Sequence, residues 1–245
     1  MSLESIIYNR PQRPRITAMY GPGGVGKTRW AAGAPFPIII PTEDGFYDVD
    51  CPAFPLCGTW DDILGHLRTL YAESHDFKTV IVDSLDWAER LIHQDVAAQA
   101  NVDSIEGIGF GKGYQMAMRH WGQFGQALNS LRNDRGMNVV LIAHSRISRF
   151  SPPDGETYDR HGPKLHKLAA EYIIEFCDEV FFANYRVFQK TTGEGFNKRT
   201  IGVGTGERVI YTTEKPSHVA KHRVPMPDQL RLDWADYEAA LNAAS

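Results

Sequence analysis

The segment Gly21-Pro22-Gly23-Gly24-Val25-Gly26-Lys27-Thr28 constrains the fold of this chain more than any other. It matches the pattern G-x-x-x-x-G-K-[ST] at every fixed position. Glycines let the backbone curl around an anion with its N–H groups pointing inward. Lys27 supplies a point charge to the outer phosphates, and the Thr28 hydroxyl is placed to ligate Mg²⁺. Such a loop needs a strand before it and a helix after it. Arg15–Tyr20 (RITAMY) reads as the strand and Lys27–Ala34 as the first turns of the helix, whose dipole adds to the site. A nucleoside triphosphate with Mg²⁺ is the expected occupant.

The rest of the chain repeats this alternation. Pro37–Ile40, Thr79–Val82, Met137–Ala143 and Glu179–Asn184 read as short buried strands. Between them, helical spacing marks Asp61–Ala72, Leu85–Ala100, Tyr114–Arg132 and Leu165–Phe176. In the longest of these, Tyr114, Ala117, Trp121, Phe124, Leu128 and Leu131 form a core-facing stripe, and Gly136 suits its cap. Residues 46–59, 101–113 and 145–163 read as loops. Beyond residue 184 the pattern becomes alternating strands with turns at Thr192–Gly195 and Gly204–Gly206, and Asp233 caps a last helix, Trp234–Ala243.

Strand–helix alternation predicts an α/β fold, a mainly parallel sheet with helices on both faces and a C-terminal β-hairpin extension. Residues 1–14 read as a polar, proline-broken arm, 15–184 as the core and 185–245 as the β-rich extension of one domain. With 245 residues and 42% hydrophobic content, one sizeable core is expected.

The net charge of −4 excludes a generally basic nucleic-acid coat, so any nucleic-acid contact must be local or built by assembly. The three cysteines, Cys51, Cys57 and Cys177, are odd in number and form no C-x-x-C pair, which suggests a reducing compartment. The histidines show no metal-binding spacing. No apolar run reaches the length of a membrane span, and the N-terminus has no apolar signal core. The expectation is a soluble, cytoplasmic protein with no membrane partner.

Ligands in such sheets sit beyond the carboxyl ends of the strands. Glu43, Asp83 and His144 each directly follow a predicted strand and fall on the same edge as the phosphate loop. Asp83 is placed to hold Mg²⁺, directly or through water, and to cap the following helix. Glu43 is placed to polarise the water that attacks the γ-phosphate, with Asp44 as its rival. His144 either senses the γ-phosphate and passes its presence to the next segment or is a satisfied strand-end histidine.

These motifs resemble the RecA-type ATPase core, in the small bacteriophage form involved in recombination or single-strand annealing. The resemblance runs from about Ile16 to Leu241. It rests on GPGGVGKT, PTEDG with Glu43, VIVDS with Asp83, VVLIAHSR with His144, and the tail GTGERVIY, AKHRVPMP and LDWADYEAAL. It implies ATP and Mg²⁺ as cofactors and single-stranded DNA as partner. It also implies a ring or filament of copies with nucleotide between subunits, and makes a single-strand-binding protein a partner to consider. Lys221 and Arg223 are similar to a Lys-x-Arg pair that reaches the neighbouring subunit's γ-phosphate. His222 between them, and no glycine after Val224-Pro225, depart from the commoner form.

DNA contacts are expected in two loops. Ser104–Gly113 is glycine-rich with Lys112 as its one cation. Ser145–Lys167 carries Arg146, Arg149, Arg160, Lys164 and Lys167 against Asp154, Glu156 and Asp159, with Phe150 and Tyr158 as stacking aromatics. The leading expectation is a Mg²⁺-dependent, DNA-stimulated ATPase that anneals or pairs strands. The alternative is a nucleotide-gated protein-interaction module or helicase loader without direct DNA contact. No N-K-x-D sequence supports guanine recognition.

Overall fold

The computed structural model describes residues 13–46, 48–153, 155–192 and 199–244. Most of the N-terminal arm, Asp154, and the turn expected around 193–195 lie outside the described residues. The chain runs β1 (Ile16–Gly21), α1 (Lys27–Ala32), β2 (Pro37–Pro41), α2 (Trp60–Ala72), β3 (Thr79–Asp83), α3 (Leu85–Gln99), α4 (Lys112–Asp134), β4 (Asn138–Phe150), β5 (Tyr158–Pro163), α5 (Lys167–Phe176), β6 (Glu179–Thr192), β7 (Arg199–Tyr211), β8 (Gln229–Arg231) and α6 (Trp234–Ala243).

The sheet order is β2-β3-β4-β1-β6-β7-β8. The first five strands pair in parallel, and β7 and β8 add antiparallel. This is the α/β P-loop core that the motifs predicted, with β6 and β7 as the long C-terminal hairpin. Strands β1 and β3 are buried along their whole length, which is why ITAMYG and TVIVD read as near-continuous apolar runs.

Helices cover both faces. One face of the sheet, with Ala18, Tyr20, Val80 and Leu141, packs against α2, α3, α4 and α5 through Ile63, Leu67, Ile92, Trp121, Phe124 and Ile173. The other, with Met19, Ile39, Ile81 and Phe181, packs against Trp30 of α1 and Tyr237 of α6. The helix ends follow their local chemistry. Thr59 and Asp62 form a reciprocal cap on α2, and Asp233 accepts from Ala235 N–H on α6. Gly136, at φ 66°, ends α4 as expected.

Four segments differ from the sequence expectation, one being the turn expected at Gly204–Gly206, which lies within β7 where its register with β6 shifts between Tyr185 and Val187. The loop expected at 145–163 is largely a β-hairpin: β4 continues past the sheet to Phe150 and pairs antiparallel with β5. The loop at 101–113 contains a 3-10 turn, Ile105–Ile108, anchored by buried Ile105, and α4 starts at Lys112. Helix α1 stops at Ala32, where a Cβ on Gly33 would lie 2.8 Å from Cβ of Trp234, so α6 sits hard against its end.

Candidate active site

The phosphate loop leaves the carboxyl end of β1 and enters α1. Gly24 and Gly26 take φ 73° and 105°, backbone that side chains disfavour. Gly21 serves a different purpose. A Cβ there would stand 2.2 Å from the Ala183 carbonyl oxygen, so the first glycine is required by the close approach of β6.

Lys27 is buried, and its Nζ donates to the Gly21 and Pro22 carbonyls at 3.1 and 2.9 Å. Burial lowers its proton affinity, and Asp83, Glu43 and Asp86 act in the opposite direction. The Thr28 hydroxyl donates to Asp83 Oδ2 at 2.6 Å, which joins the loop to the end of β3. Burial raises the Asp83 carboxyl, and the Thr28 hydrogen bond, Lys27 and His144 oppose that rise. Thr42 closes the gap between β2 and β3 by donating its N–H to Asp83 O at 2.7 Å and its hydroxyl to Ser84 O at 2.6 Å.

Lys27, Thr28 and Asp83 line a cavity of about 510 Å³ with Gly24, Glu43, Asp44, His144 and Arg208. Glu43 is partly buried and Asp44 exposed. Burial raises the Glu43 carboxyl, opposed by the His144 charge and reinforced by Asp83 and Asp86. A partly buried carboxyl with raised proton affinity suits a general base better than a solvated one.

His144 is not a bare strand-end histidine. Its Nε2 lies 3.9 Å from where a Cβ on Gly23 would stand, so the ring faces the phosphate loop. Its Nδ1 sits 3.1 Å from Asp86 Oδ2, and its backbone N–H donates to Asp86 Oδ1 at 3.0 Å. The Asp86 hydrogen bond raises the imidazole's proton affinity against the effect of burial. Burial alone would raise Asp86, but its hydrogen bonds from the His144 side chain and backbone prevail and hold it at about 2.

Sequence reasoning does not single out Asp86 or Arg208. Asp86 sits one turn past Asp83 at the start of α3, where an acid reads as ordinary first-turn chemistry. Arg208 lies in the GTGERVIY segment, whose pattern gives it no role; the β6–β7 hairpin folds it back over the loop.

The donor set fits Mg²⁺. A hard cation takes oxygen ligands, and hydroxyl and carboxylate already touch here. Among the described residues no group of three or more His, Cys, Asp and Glu could hold a metal alone. The remaining ligands would be phosphate oxygens and water, the usual arrangement for this ion.

Other predicted residues lie elsewhere. Lys221 pairs with Val180 at the start of β6, and its Nζ donates to the Ile174 and Glu175 carbonyls closing α5. Arg223 lies 3.6 Å from Asp178, which also holds Arg132 at 3.1 Å and the Ile16 N–H. Both are therefore at the amino edge of the sheet. The two ends of β1 are about 16 Å apart at about 3.3 Å per residue, so neither residue reaches its own phosphate loop.

The pleat of the β4–β5 hairpin sorts the basic residues predicted for DNA. Arg146, Phe150, Arg160 and Tyr158 share one face, and Arg149 lies on the other, opposite Asp159. Arg160 is committed to Glu214 and stacks over the Phe150 ring, 5.2 Å from its centroid. Arg146 and Arg149 are exposed, as is Lys164, whose backbone N–H donates to His144 O at 2.8 Å. Lys167 opens α5, 4.0 Å from Glu171. Lys112 opens α4 beside Phe110, a fully exposed aromatic at φ 50°.

A family model described as an AAA domain matches residues 13–224. The chain belongs to the AAA domain family. Its phosphate loop and the Thr28–Asp83 pair are those of an AAA-type, nucleotide-binding ATPase domain, and both lie within the matched span. No curated protein matches this AAA domain. Its cysteines are all free thiols, and no helix among the described residues is long and apolar enough to cross a membrane.

Proposed function

We propose that this AAA domain binds ATP with Mg²⁺, hydrolyses it, and uses the cycle to change the grip of the β4–β5 hairpin on single-stranded DNA during annealing or strand pairing. The observation that carries the hydrolytic part is the convergence of Lys27, the Thr28–Asp83 pair, Glu43 and His144 on one cavity. Lys27 holds the outer phosphates. Thr28 and Asp83 would hold Mg²⁺, which neutralises charge on the phosphate oxygens. Glu43 orients a water for in-line attack. The water oxygen bonds to the γ-phosphorus, the bond from that phosphorus to the bridging oxygen breaks, and ADP leaves with the electron pair. The water proton passes to Glu43 and on to solvent or phosphate.

The DNA part is supported by continuity along β4. His144 faces the phosphate loop, and the same strand continues through Arg146 and Arg149 into the hairpin. A change at the γ-phosphate would then act on the hairpin without an intervening joint. Lys221 and Arg223, remote from their own nucleotide, suit a role on a neighbouring copy's site in a ring or filament. A second reading, a nucleotide-gated protein-interaction module, draws on the commitment of Arg160 to Glu214, which leaves the hairpin less cationic than its sequence, and on the exposed apolar Ile147.

The test is ATP hydrolysis with and without single-stranded DNA at two salt concentrations. Lys27→Ala should abolish nucleotide binding, and Glu43→Gln should bind ATP but turn it over about 10²-fold or more slower. Stimulation by DNA that weakens with salt supports the DNA reading. An unchanged rate with no DNA binding refutes it and favours a protein partner.

A further inference from the structure

The cavity on the phosphate loop has two ends of opposite character. Glu43, Asp44 and Asp48 make one end acidic, while Arg29 and Arg208 make the other basic. Gly26, Arg29 and Arg208 also line a second cavity of about 380 Å³, whose other wall includes Leu232, Trp234 and Ala235. The two spaces therefore adjoin around the start of α1. That volume is within the range of small-molecule clefts.

The second cavity has a fixed floor. Trp30 of α1 packs on Trp234 at 4.7 Å between ring centroids and on Tyr237 at 5.5 Å. Its wall is tied to β7, because Leu232 N–H donates to Arg208 O at 3.2 Å. Arg208 itself stands at the junction. Its Nη1 is 3.1 Å from the place a Cβ on Gly26 would take, so the guanidinium lies directly on the phosphate loop. Among the described residues no hydrogen bond or ion pair engages that guanidinium. An unpaired cation held against an anion-binding loop is complementary to a phosphate oxygen.

A triphosphate seated on Lys27 with its γ-phosphate toward Glu43 and His144 must send its nucleoside out of the opposite end. The basic end opens onto the groove walled by Leu232, Trp234 and Ala235, with Asp233 and Glu238 also lining it. Resting on the phosphate-loop reading above, we infer that Arg208 grips the phosphate chain where it joins the sugar. The groove between Arg29 and Leu232–Ala235 receives the sugar and base. The C-terminal segment β7–α6 is then part of the nucleotide site and not only a covering for the sheet.

The test compares Mg²⁺-bound non-hydrolysable ATP with Mg²⁺-bound inorganic tripolyphosphate, by calorimetry on the full chain. Ala235 is exposed on the groove wall, so Ala235→Trp fills the groove from the solvent side. It should weaken the ATP analogue about tenfold or more and leave tripolyphosphate within about twofold. Arg208→Ala should weaken both, and Arg208→Lys should recover part of that loss. Retained tripolyphosphate binding shows that the Ala235→Trp variant has folded. Unchanged affinity of Ala235→Trp for the ATP analogue would overturn the inference, and so would equal weakening of both ligands. If wild type binds neither ligand, or Lys27→Ala binds both as wild type does, the phosphate-loop reading fails instead.

Discussion

Replacing Glu89 by glutamine should change how stability depends on pH. Glu89 lies on α3, one turn after Asp86, and is 8% exposed. Both its carboxylate oxygens accept from the His166 N–H at 2.9 Å, which ties α3 to the start of α5 just past the hairpin. Burial is the largest influence on it. It outweighs the His166 hydrogen bond and the Arg146 charge, and moves the carboxyl from 4.5 to about 7. Between those values the folded protein holds a proton that the unfolded chain has released, so stability falls as pH rises through the window. The displacement corresponds to about 3 kcal/mol at about 1.4 kcal/mol per tenfold change in proton activity. A glutamine side chain would keep an acceptor for the His166 N–H and remove the titration. Urea unfolding at pH 4.5, 6, 7 and 8 should show the stability of Glu89→Gln minus that of wild type growing by about 3 kcal/mol across the range. A difference constant to within about 0.5 kcal/mol would refute the account and mean that Glu89 ionises in the fold as it does in water.

Four further outcomes follow from named contacts. Asp86 is held at about 2, so its contribution of about 2 kcal/mol is present above pH 4 and lost as pH falls toward 2, and Asp86→Asn should remove that acid-side loss. The same variant should move the His144 titration to lower pH, followed by NMR of the imidazole, because the hydrogen bond that raises it is gone. Gly21→Ala should destabilise by about 3 kcal/mol or more in thermal melts, since its Cβ meets a backbone carbonyl at 2.2 Å and neither strand can yield cheaply. Tyr237→Phe should cost about 1–3 kcal/mol in urea unfolding, because it strips the fully buried Glu179 of one donor and leaves Thr17 and Arg15.

The sequence by itself determined the parts whose physics is local. The glycine spacing before Lys27-Thr28, the apolar runs Ile16–Tyr20, Thr79–Val82 and Met137–Ala143, and the three-and-four stripe of Tyr114 to Leu131 each express a constraint within a few residues. Strand–helix alternation then led to a parallel sheet and put Glu43, Asp83 and His144 on one edge. What crosses between elements was not legible. The segment after His144 has too few apolar positions to show a strand period, and its pairing with β5 rests on cross-strand hydrogen bonds. Asp86 meets His144 only because β3 and β4 are neighbours, with Asp83 beside Ile142, so the helix leaving one strand reaches the end of the other. Lys221 and Arg223 sit at the amino edge because their segment bridges to the start of β6, and Arg208 reaches the phosphate loop because β7 folds back along β6. Spacing along a chain fixes what neighbouring residues can do together; which distant groups share a cavity is decided by strand order and register, and those arise from packing the whole sheet at once.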